Sequence, residues 1–289
     1  MNLHVSPQRI IGLLILCLGI AYGAVLFMQA ARQKAALRAE AGALPLVAIG
    51  EAAVYFCATL GISDFLLNTL FIRSKRLLED KKLPGTLVAC SLTPGAVIAF
   101  SFLQVDNPVA LSTLIPCAAA ISLGSATGAK IVGGMDGARI RRILGIALIG
   151  ALIALIVRIV VAEGAAGTAT GLTLPQLVFA VIFSFFWGAV NMIGVPMKPA
   201  ATAIFLWLGM SPIATLTTIL VMGSIGPMGG GIPIIRNHLY HQKLACASVI
   251  FGSLGAILGV LFAVSISATL LNALLLAVMV IAIVSLLRP

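Results

Sequence analysis

Long apolar runs, each separated from the next by a short gap, constrain the fold of this chain more than any other feature. The runs cover residues 10–31, 43–72, 84–104, 108–128, 140–162, 175–209, 212–235, 244–266 and 269–287. A helix of about 20 apolar residues spans the hydrocarbon core of a bilayer. Only 9% of the residues are charged, against about 25% in soluble domains. The sequence therefore predicts an all-α polytopic membrane protein.

The net charge of +10 does not indicate a nucleic-acid partner. The basic residues lie in the gaps between apolar runs, as expected for cytoplasmic loops under the positive-inside rule. The five cysteines lie within apolar runs without a CxxC pair, so neither a disulfide framework nor a metal site is indicated. No Ser/His/Asp set, paired carboxylates or HExxH motif is present, and we predict no enzymatic activity and no cofactor.

The first run, 10–31, has two interpretations, a cleaved signal peptide or a retained span. Its basic cluster of Arg32, Lys34 and Arg38 follows the run, and only Arg9 precedes it. A signal peptide has the opposite charge arrangement and a shorter apolar region. We therefore interpret this run as a transmembrane helix.

Basic residues divide the gaps into two groups. The basic gaps are 32–42, 73–83, 129–142 and 236–243, with Arg288 in the tail, and the gaps without basic residues are 104–108, 163–174 and 266–269. If basic gaps are cytoplasmic, both ends of 43–72 lie inside and both ends of 175–209 lie outside. These two segments must then enter the membrane and return, whereas the other seven runs cross it.

An internal repeat relates the two halves of the chain. Gly61–Thr69 matches Gly194–Thr202 at an offset of 133 residues, and further on Gly95 aligns with Gly223. One half starts inside and the other outside, so the repeats are inverted, an architecture typical of secondary transporters. The predicted parts are an N-terminal helix and basic loop (1–42), a first repeat (43–162), an external linker (163–174) and a second repeat (175–289).

Polar residues, glycine and proline interrupt both re-entrant segments. The first break covers 58–64 and precedes a half-helix over 65–72, and the second covers 191–199 and precedes a half-helix over 200–210. Non-helical backbone at membrane depth is buried in protein or lines a cavity. Helix N-termini favour anions. We expect two half-helix N-termini to point at one anionic ligand near the midplane.

Charged residues beside the breaks are the main site candidates. Lys198 places a positive charge beside the second break, where it would line the site. Alternatively, the Lys198 side chain extends to the outer surface. Asp64 is a helix cap, a partner of Lys198, or a ligand for substrate or proton. Glu51 is a proton-coupling carboxylate or a residue at the inner rim. Arg158, near the outer end of its span, is interpreted as reaching the interface.

The remaining candidates are hydroxyl, amide and glycine positions at the breaks. Each of them either binds substrate or forms hydrogen bonds with backbone groups that the helix break leaves unpaired. They are Thr59, Gly61, Ser63, Asn68, Thr69, Asn191, Gly194 and Thr202. Pro196 and Pro199 suit the first turn of the second half-helix. The glycine-rich stretch 222–231 lacks the GK[ST] ending of a phosphate loop, and we interpret it as close helix packing or a hinge.

Four short motifs resemble the sulfite exporter TauE/SafE-type permeases, also called the toluene sulfonate uptake permease family or DUF81. They are Thr59–Ile62, Leu83–Thr86, Leu208–Pro212 and Met222–Ser224. The resemblance covers about residues 45–287. It implies a bacterial inner-membrane permease built from inverted repeats that moves sulfite, sulfonates, sulfoacetate or related small organic anions, with a proton as candidate coupling ion. The chain departs from the family pattern at Ala58, at Ser63–Asp64 and over 196–200.

The combined prediction is a secondary-active permease for a small anion, bound between the two re-entrant tips. Its partners are the anionic solute, the lipid bilayer and a coupling proton at Glu51 or Asp64. The alternative is an exporter or channel for a neutral or cationic metabolite that uses Asp64 and Glu51 as ligands. We expect a multi-pass protein with its N-terminus outside and its C-terminus in the cytoplasm.

Overall fold

The computed structural model describes residues 6–104, 109–132, 136, 167–194 and 197–265. The predicted spans 140–162 and 269–287 lie outside the described residues, as do Arg158 and Pro196. Within the described ranges the regular structure is helical, apart from an isolated bridge between Ala169 and Met210. The prediction of an all-α chain is confirmed for this part of the protein.

In the described ranges, short connections join successive helices as far as Val132 and again from Leu174 onward. They are α1 (Pro7–Arg32), α2 (Lys34–Ala39), α3 (Leu44–Thr59), α4 (Asp64–Ser74), α5 (Leu83–Gln104), α6 (Leu111–Val132), α7 (Leu174–Asn191), α8 (Lys198–Trp207), α9 (Pro212–Arg236), α10 (Gln242–Ala247) and α11 (Ser253–Ser265). A 3-10 turn, Asp80–Lys82, precedes α5, and a π-helical turn, Ser248–Gly252, joins α10 to α11.

Proline and capping residues fix where several helices begin. Proline occupies the first turn of α1, α3, α7, α8 and α9, where its missing N–H costs no hydrogen bond. Thr173 and Gln176 form a capping box at the start of α7. The Ser211 hydroxyl accepts from the Ala214 N–H at the start of α9. These starts follow directly from the sequence.

In the described part of the chain, six helices are long and apolar enough to cross a membrane, and we conclude that this is a multi-pass membrane protein. Five coincide with predicted spans, and they are Pro7–Arg32, Asp80–Gln104, Leu111–Ile131, Pro212–Arg236 and Gln242–Ala263. The sixth, Leu174–Asn191, is the first arm of the interrupted segment 175–209. Its length alone would allow it to cross, but α8 follows it after a break.

The basic gaps 32–42, 73–83 and 236–243 meet at one end of the molecule, which we call the basic end. The Lys243 ammonium group donates to the backbone carbonyls of Glu40 and Gly42. The His241 N–H donates to the Thr86 hydroxyl at 3.0 Å, which joins the 236–243 gap to the start of α5. Burial lowers the pKa of His241 despite the nearby Glu40 carboxylate. Residues far apart in sequence thus share one end, as the charge pattern predicts.

The gaps that lack basic residues meet at the opposite end of α5 and α9. The Ala110 N–H donates to the Thr170 carbonyl at 2.9 Å, and the Ser211 N–H donates to the Ala169 carbonyl at 2.8 Å. The Leu172 N–H donates to the Thr113 hydroxyl at 2.9 Å. The described parts of these gaps carry no charged residue. We call this region the uncharged end.

Both interrupted segments return to the end from which they start. A Cβ atom added at Gly42, before α3, would lie 3.1 Å from the Leu77 side chain, after α4. At the uncharged end, the Gln176 amide on α7 donates to the Leu208 carbonyl after α8 at 3.0 Å. Segment 43–72 therefore starts and finishes at the basic end, and segment 175–209 at the uncharged end.

Glycine pairs bring the helices of the two halves into backbone contact. Cβ atoms added at Gly124 and Gly128 on α6 would lie 1.9 and 2.3 Å from carbonyl oxygens of α7. Cβ atoms added at Gly255 and Gly259 on α11 would lie 2.1 and 2.6 Å from carbonyl oxygens of α3. Each pair has the GxxxG spacing that permits close helix approach in membranes. Each interrupted segment thus packs on the other half of the chain.

Replacing Gly255 with alanine should force α11 away from α3. The new Cβ atom would overlap the Ala52 carbonyl oxygen at 2.1 Å, and overpacking of this kind costs about 1–3 kcal/mol or more. Thermal unfolding of the purified protein measures the loss. Gly95→Ala is the matched control, because its Cβ atom would lie 3.5 Å from Ser224, an ordinary contact. Equal stability of the two variants would contradict this packing.

Candidate functional site

The first helix break lies between α3 and α4 and consists of residues 60–63. Gly61 adopts a φ of +87°, a left-handed conformation that glycine tolerates and most other residues do not. The Ser63 hydroxyl accepts from the Leu66 N–H at 3.4 Å and caps α4. Asp64 is the first residue of α4, one position after the cap. A break is present within the predicted range 58–64, and Ser63 rather than Asp64 caps the helix that follows it.

The second helix break lies between α7 and α8, and its glycine has the same conformation as the glycine of the first break. Gly194 has a φ of +98°, and its N–H donates to the Asn191 carbonyl at 2.9 Å, as the Gly61 N–H donates to Ala58 at 3.2 Å. Lys198 is the first residue of α8. The second half-helix thus begins two residues earlier than the predicted start at 200, because Pro199 in its first turn is compatible with helix from Lys198 onward.

Lys198 and Asp64 form a buried ion pair that joins the two breaks. The Lys198 ammonium nitrogen lies 2.9 Å from the Asp64 carboxylate and 3.2 Å from the Ile62 carbonyl oxygen, to which it donates. Lys198 is 6% exposed and Asp64 is 7% exposed. The alternative in which Lys198 extends to the outer surface is therefore wrong. Asp64 is its partner, and the two half-helices begin side by side inside the protein.

The two charges stand in opposite relations to their helix dipoles. A negative charge is stabilised at a helix N-terminus, whereas a positive charge there is destabilised. Asp64 at the start of α4 is therefore favourably placed, and Lys198 at the start of α8 is not. Since the desolvation cost of each buried ion is several kcal/mol, Lys198 depends on a nearby anion. Asp64 supplies that negative charge in the observed conformation.

A small cavity lies beside the ion pair. Among the residues that line it are Tyr55, Asp64, Gly95, Lys198, Gly223 and Ser224. The cavity has room for about one water molecule, so a larger solute requires the surrounding helices to move. Gly95 and Gly223 are the positions aligned by the internal repeat, and a Cβ atom added at Gly223 would lie 3.5 Å from the Lys198 side chain.

Tyr55 and Ser224 are site residues that the sequence interpretation missed. Within the described part of the chain, their buried hydroxyl oxygens have no hydrogen-bond partner. Both groups are free donors beside Lys198, and donors are what an anion requires. Two features of the sequence could have identified these residues. Tyr55 lies one helical turn after Glu51, and Ser224 follows the repeat position Gly223.

The candidate threonines donate their hydroxyl hydrogens to their own helices. Thr59 donates to Phe56 at 2.6 Å, and Thr69 and Thr202 each donate to the carbonyl four residues earlier at 2.7 Å. Thr59 also faces Gly259 of α11 rather than the cavity. Each hydroxyl can still accept a hydrogen bond, so a role for these residues with substrate stays a prediction.

Glu51 is enclosed by protein. Its exposed fraction is 0%, and that of the neighbouring Asn68 is 1%. The side chains of Ser248, Asn68 and Cys90 face the carboxyl group. Asn191, the remaining amide candidate, ends α7 and is buried. Burial does not decide between the coupling and rim alternatives for Glu51, and both stay predictions.

No group of three or more His, Cys, Asp or Glu side chains suited to a metal ion occurs in the described ranges. Comparisons of the chain with known protein families, with curated proteins and with solved structures found no match. The function is therefore argued from the geometry of the two breaks.

Proposed function

We propose that this protein is a secondary-active permease for a small anion. The observation that carries the proposal is the buried pair of Lys198 and Asp64 at the junction of two helix breaks. Ionisable residues inside a membrane protein mark solute or ion pathways. Discontinuous helices whose N-termini meet at the repeat interface form substrate sites in secondary transporters.

Inverted repeats are the second part of the proposal. Three observations support them: the matching glycine conformations at the two breaks, the crosswise glycine contacts between halves, and the return of each interrupted segment to a different end. In this arrangement segments 43–72 and 175–209 are re-entrant and approach the midplane from opposite sides. Non-helical backbone at that depth is tolerated where it lines a cavity.

An entering anion competes with Asp64 for Lys198. The two half-helix N-termini and the Lys198 ammonium group attract negative charge, and the unpartnered hydroxyls of Tyr55 and Ser224 add donors. When no solute is bound, Asp64 forms an ion pair with Lys198, which lowers the free-energy cost of burying the lysine charge. Because the cavity holds about one water molecule, binding is coupled to helix movement, as alternating access requires.

The resemblance to the TauE/SafE-type permeases narrows the proposed substrate. Sulfite, a sulfonate or a related organic anion such as sulfoacetate carries the negative oxygens that Lys198 and helix N-termini recognise. We place the protein in the bacterial inner membrane with the basic end in the cytoplasm, as the positive-inside rule predicts. The N-terminus is then outside and the C-terminus inside.

A second candidate function is an exporter or channel for a neutral or cationic metabolite. The observation that favours it is the carboxyl group of Glu51, whose oxygens have no hydrogen-bond partner among the residues described. In that case Asp64 and Glu51 are the ligands. Asp64→Asn is then more damaging to transport than Lys198→Met, whereas the anion permease predicts the reverse order.

A panel of solutes tests the proposed function with purified protein. We expect sulfite, thiosulfate, taurine, sulfoacetate or a small carboxylate to raise the unfolding temperature. A ligand that binds only the folded state adds about 2.7 kcal/mol at a hundredfold excess over its Kd. Sodium chloride at equal ionic strength is the control. Stabilisation by cationic or neutral solutes alone, or by none of the panel, would contradict the proposal.

A further inference from the structure

Among the described residues Glu51 has no cationic partner, although the side chains of Asn68, Ser248 and Cys90 face its carboxyl group. Neither carboxyl oxygen accepts a hydrogen bond in the described part of the chain, and the residue is 0% exposed. An ionised carboxylate without a partner is very costly to bury. A neutral carboxyl group, which carries a proton, costs far less. Burial without a cationic partner therefore favours the form of Glu51 that carries a proton.

The nearest hydroxyl donor is already used. Pro94 lacks an N–H and leaves the Cys90 carbonyl, four residues earlier on α5, without its helical donor. The Ser248 hydroxyl donates to that carbonyl at 2.7 Å. It therefore cannot also donate its hydrogen to Glu51. Ser248 begins the π-helical turn beside α3, and turns of this kind recur at functional sites.

The charged groups around Glu51 also disfavour its ionised form. Among the described residues, the titratable groups that face it are Cys90 on α5, Asp64 on α4 and Tyr55 on its own helix. Asp64 repels a second negative charge, and the neighbouring cation Lys198 is committed to Asp64. On α10, Cys246 faces Cys90 rather than Glu51.

Glu51 also breaks the internal repeat. At the register that aligns Gly61 with Gly194, Glu51 aligns with Ser184, whose hydroxyl donates to the Ala180 carbonyl of its own helix at 2.6 Å. Asp64 and Lys198 likewise align with Met197 and Phe65. Both halves contain the same helix break, but each ionisable residue occurs in only one half. Since the other half forms its break without these residues, the fold alone does not require them.

We propose that Glu51 binds the coupling proton of the permease, and that its carboxyl group carries this proton while Asp64 is paired with Lys198. This inference rests on the proposed function. When an anion takes Lys198, the Asp64 carboxylate loses its partner. Tyr55, one turn from Glu51 and in the same cavity as Asp64, accepts the proton of Glu51 and gives its own to Asp64. Helix movement must expose Glu51 to solution in the same step, because its ionised form is too costly to bury, and Glu51 then takes up a proton from that solution.

Infrared spectroscopy tests the bound proton without any substrate. At about pH 7, exposed carboxyl groups are ionised, so a protonated-carboxyl C=O band from wild-type protein in lipid vesicles reports a buried proton. We expect Glu51→Gln to remove this band and Glu40→Gln to leave it, because Glu40 accepts from the N–H groups of Gln242 and Lys243 at 2.9 and 2.7 Å. A wild-type protein without the band, or a band unchanged in Glu51→Gln, overturns the inference.

Stability and flux complete the test. Glu51→Gln should unfold at the wild-type temperature, since an amide of the same size replaces a neutral carboxyl group, and a variant that fails to fold contradicts a neutral Glu51. In vesicles, we expect Glu51→Gln to exchange sulfoacetate across the membrane but to lose uptake driven by a pH gradient. Full gradient-driven uptake by this variant overturns the coupling role. Absence of sulfoacetate flux in the wild type counts against the proposed substrate, while the infrared result still decides the bound proton.

Discussion

Replacing Lys198 with methionine is expected to abolish anion binding. The variant removes the one buried ammonium group at the junction of the breaks, in the part of the chain that the structure describes. Hydrogen bonds to charged groups contribute about 1.5–3 kcal/mol each, and a small anion held by Lys198 loses at least one of them. Stabilisation by sulfoacetate in a thermal unfolding assay measures the effect.

Lys75→Met is the matched control for that variant. It removes the same charge from an exposed lysine after α4, so any general effect of net charge on anion affinity appears in both proteins. We expect the control to keep the wild-type response to sulfoacetate. An equal response in Lys198→Met and in the control would show that Lys198 takes no part in binding.

The buried pair should show strong coupling in a double-mutant cycle. Breaking a buried ion pair by removing one partner costs about 3–5 kcal/mol, because it leaves an uncompensated buried charge. We therefore expect Asp64→Asn and Lys198→Met each to lower the free energy of unfolding by about this amount. The double variant should recover most of the loss, since replacing both partners is often nearly neutral.

Unfolding of all four proteins in the same lipid or detergent provides the measurement for the cycle. Additive losses in the double variant would mean that the two side chains do not interact in the folded protein. The double variant also separates stability from function. It should fold well and still fail to bind sulfoacetate, because the ammonium group is absent.

In the described part of the chain, the spans and the grouping of the gaps at two ends could be predicted because charge and length act locally. Runs of about 20 apolar residues identify spans, and the gap charges assign each gap to an end. The hydrogen bonds from Lys243 to Glu40 and Gly42 join two basic gaps, as predicted. The hydrogen bond from Ala110 to Thr170 joins the start of α6 to a gap without basic residues. Both breaks could be located from a glycine within a polar interruption. The chain turns there through a positive φ, which glycine tolerates and most other residues do not.

The depth of side chains could not be predicted in the same way. Lys198 had an alternative at the surface because sequence does not specify how far a broken segment enters the protein. Its contact with Asp64 is formed by residues 134 positions apart, and it depends on tertiary packing. Tyr55 and Ser224 were missed because single hydroxyl groups in apolar runs usually bond to their own helix, as Thr69 does.

The central claim is that an anion crosses the membrane through the site of Lys198 and Asp64. The most direct test is sulfoacetate uptake by proteoliposomes that contain equal amounts of folded wild-type protein and of the Asp64→Asn, Lys198→Met double variant. The account predicts saturable uptake by the wild type and none above the protein-free background by the double variant. Wild-type uptake by the double variant would contradict it.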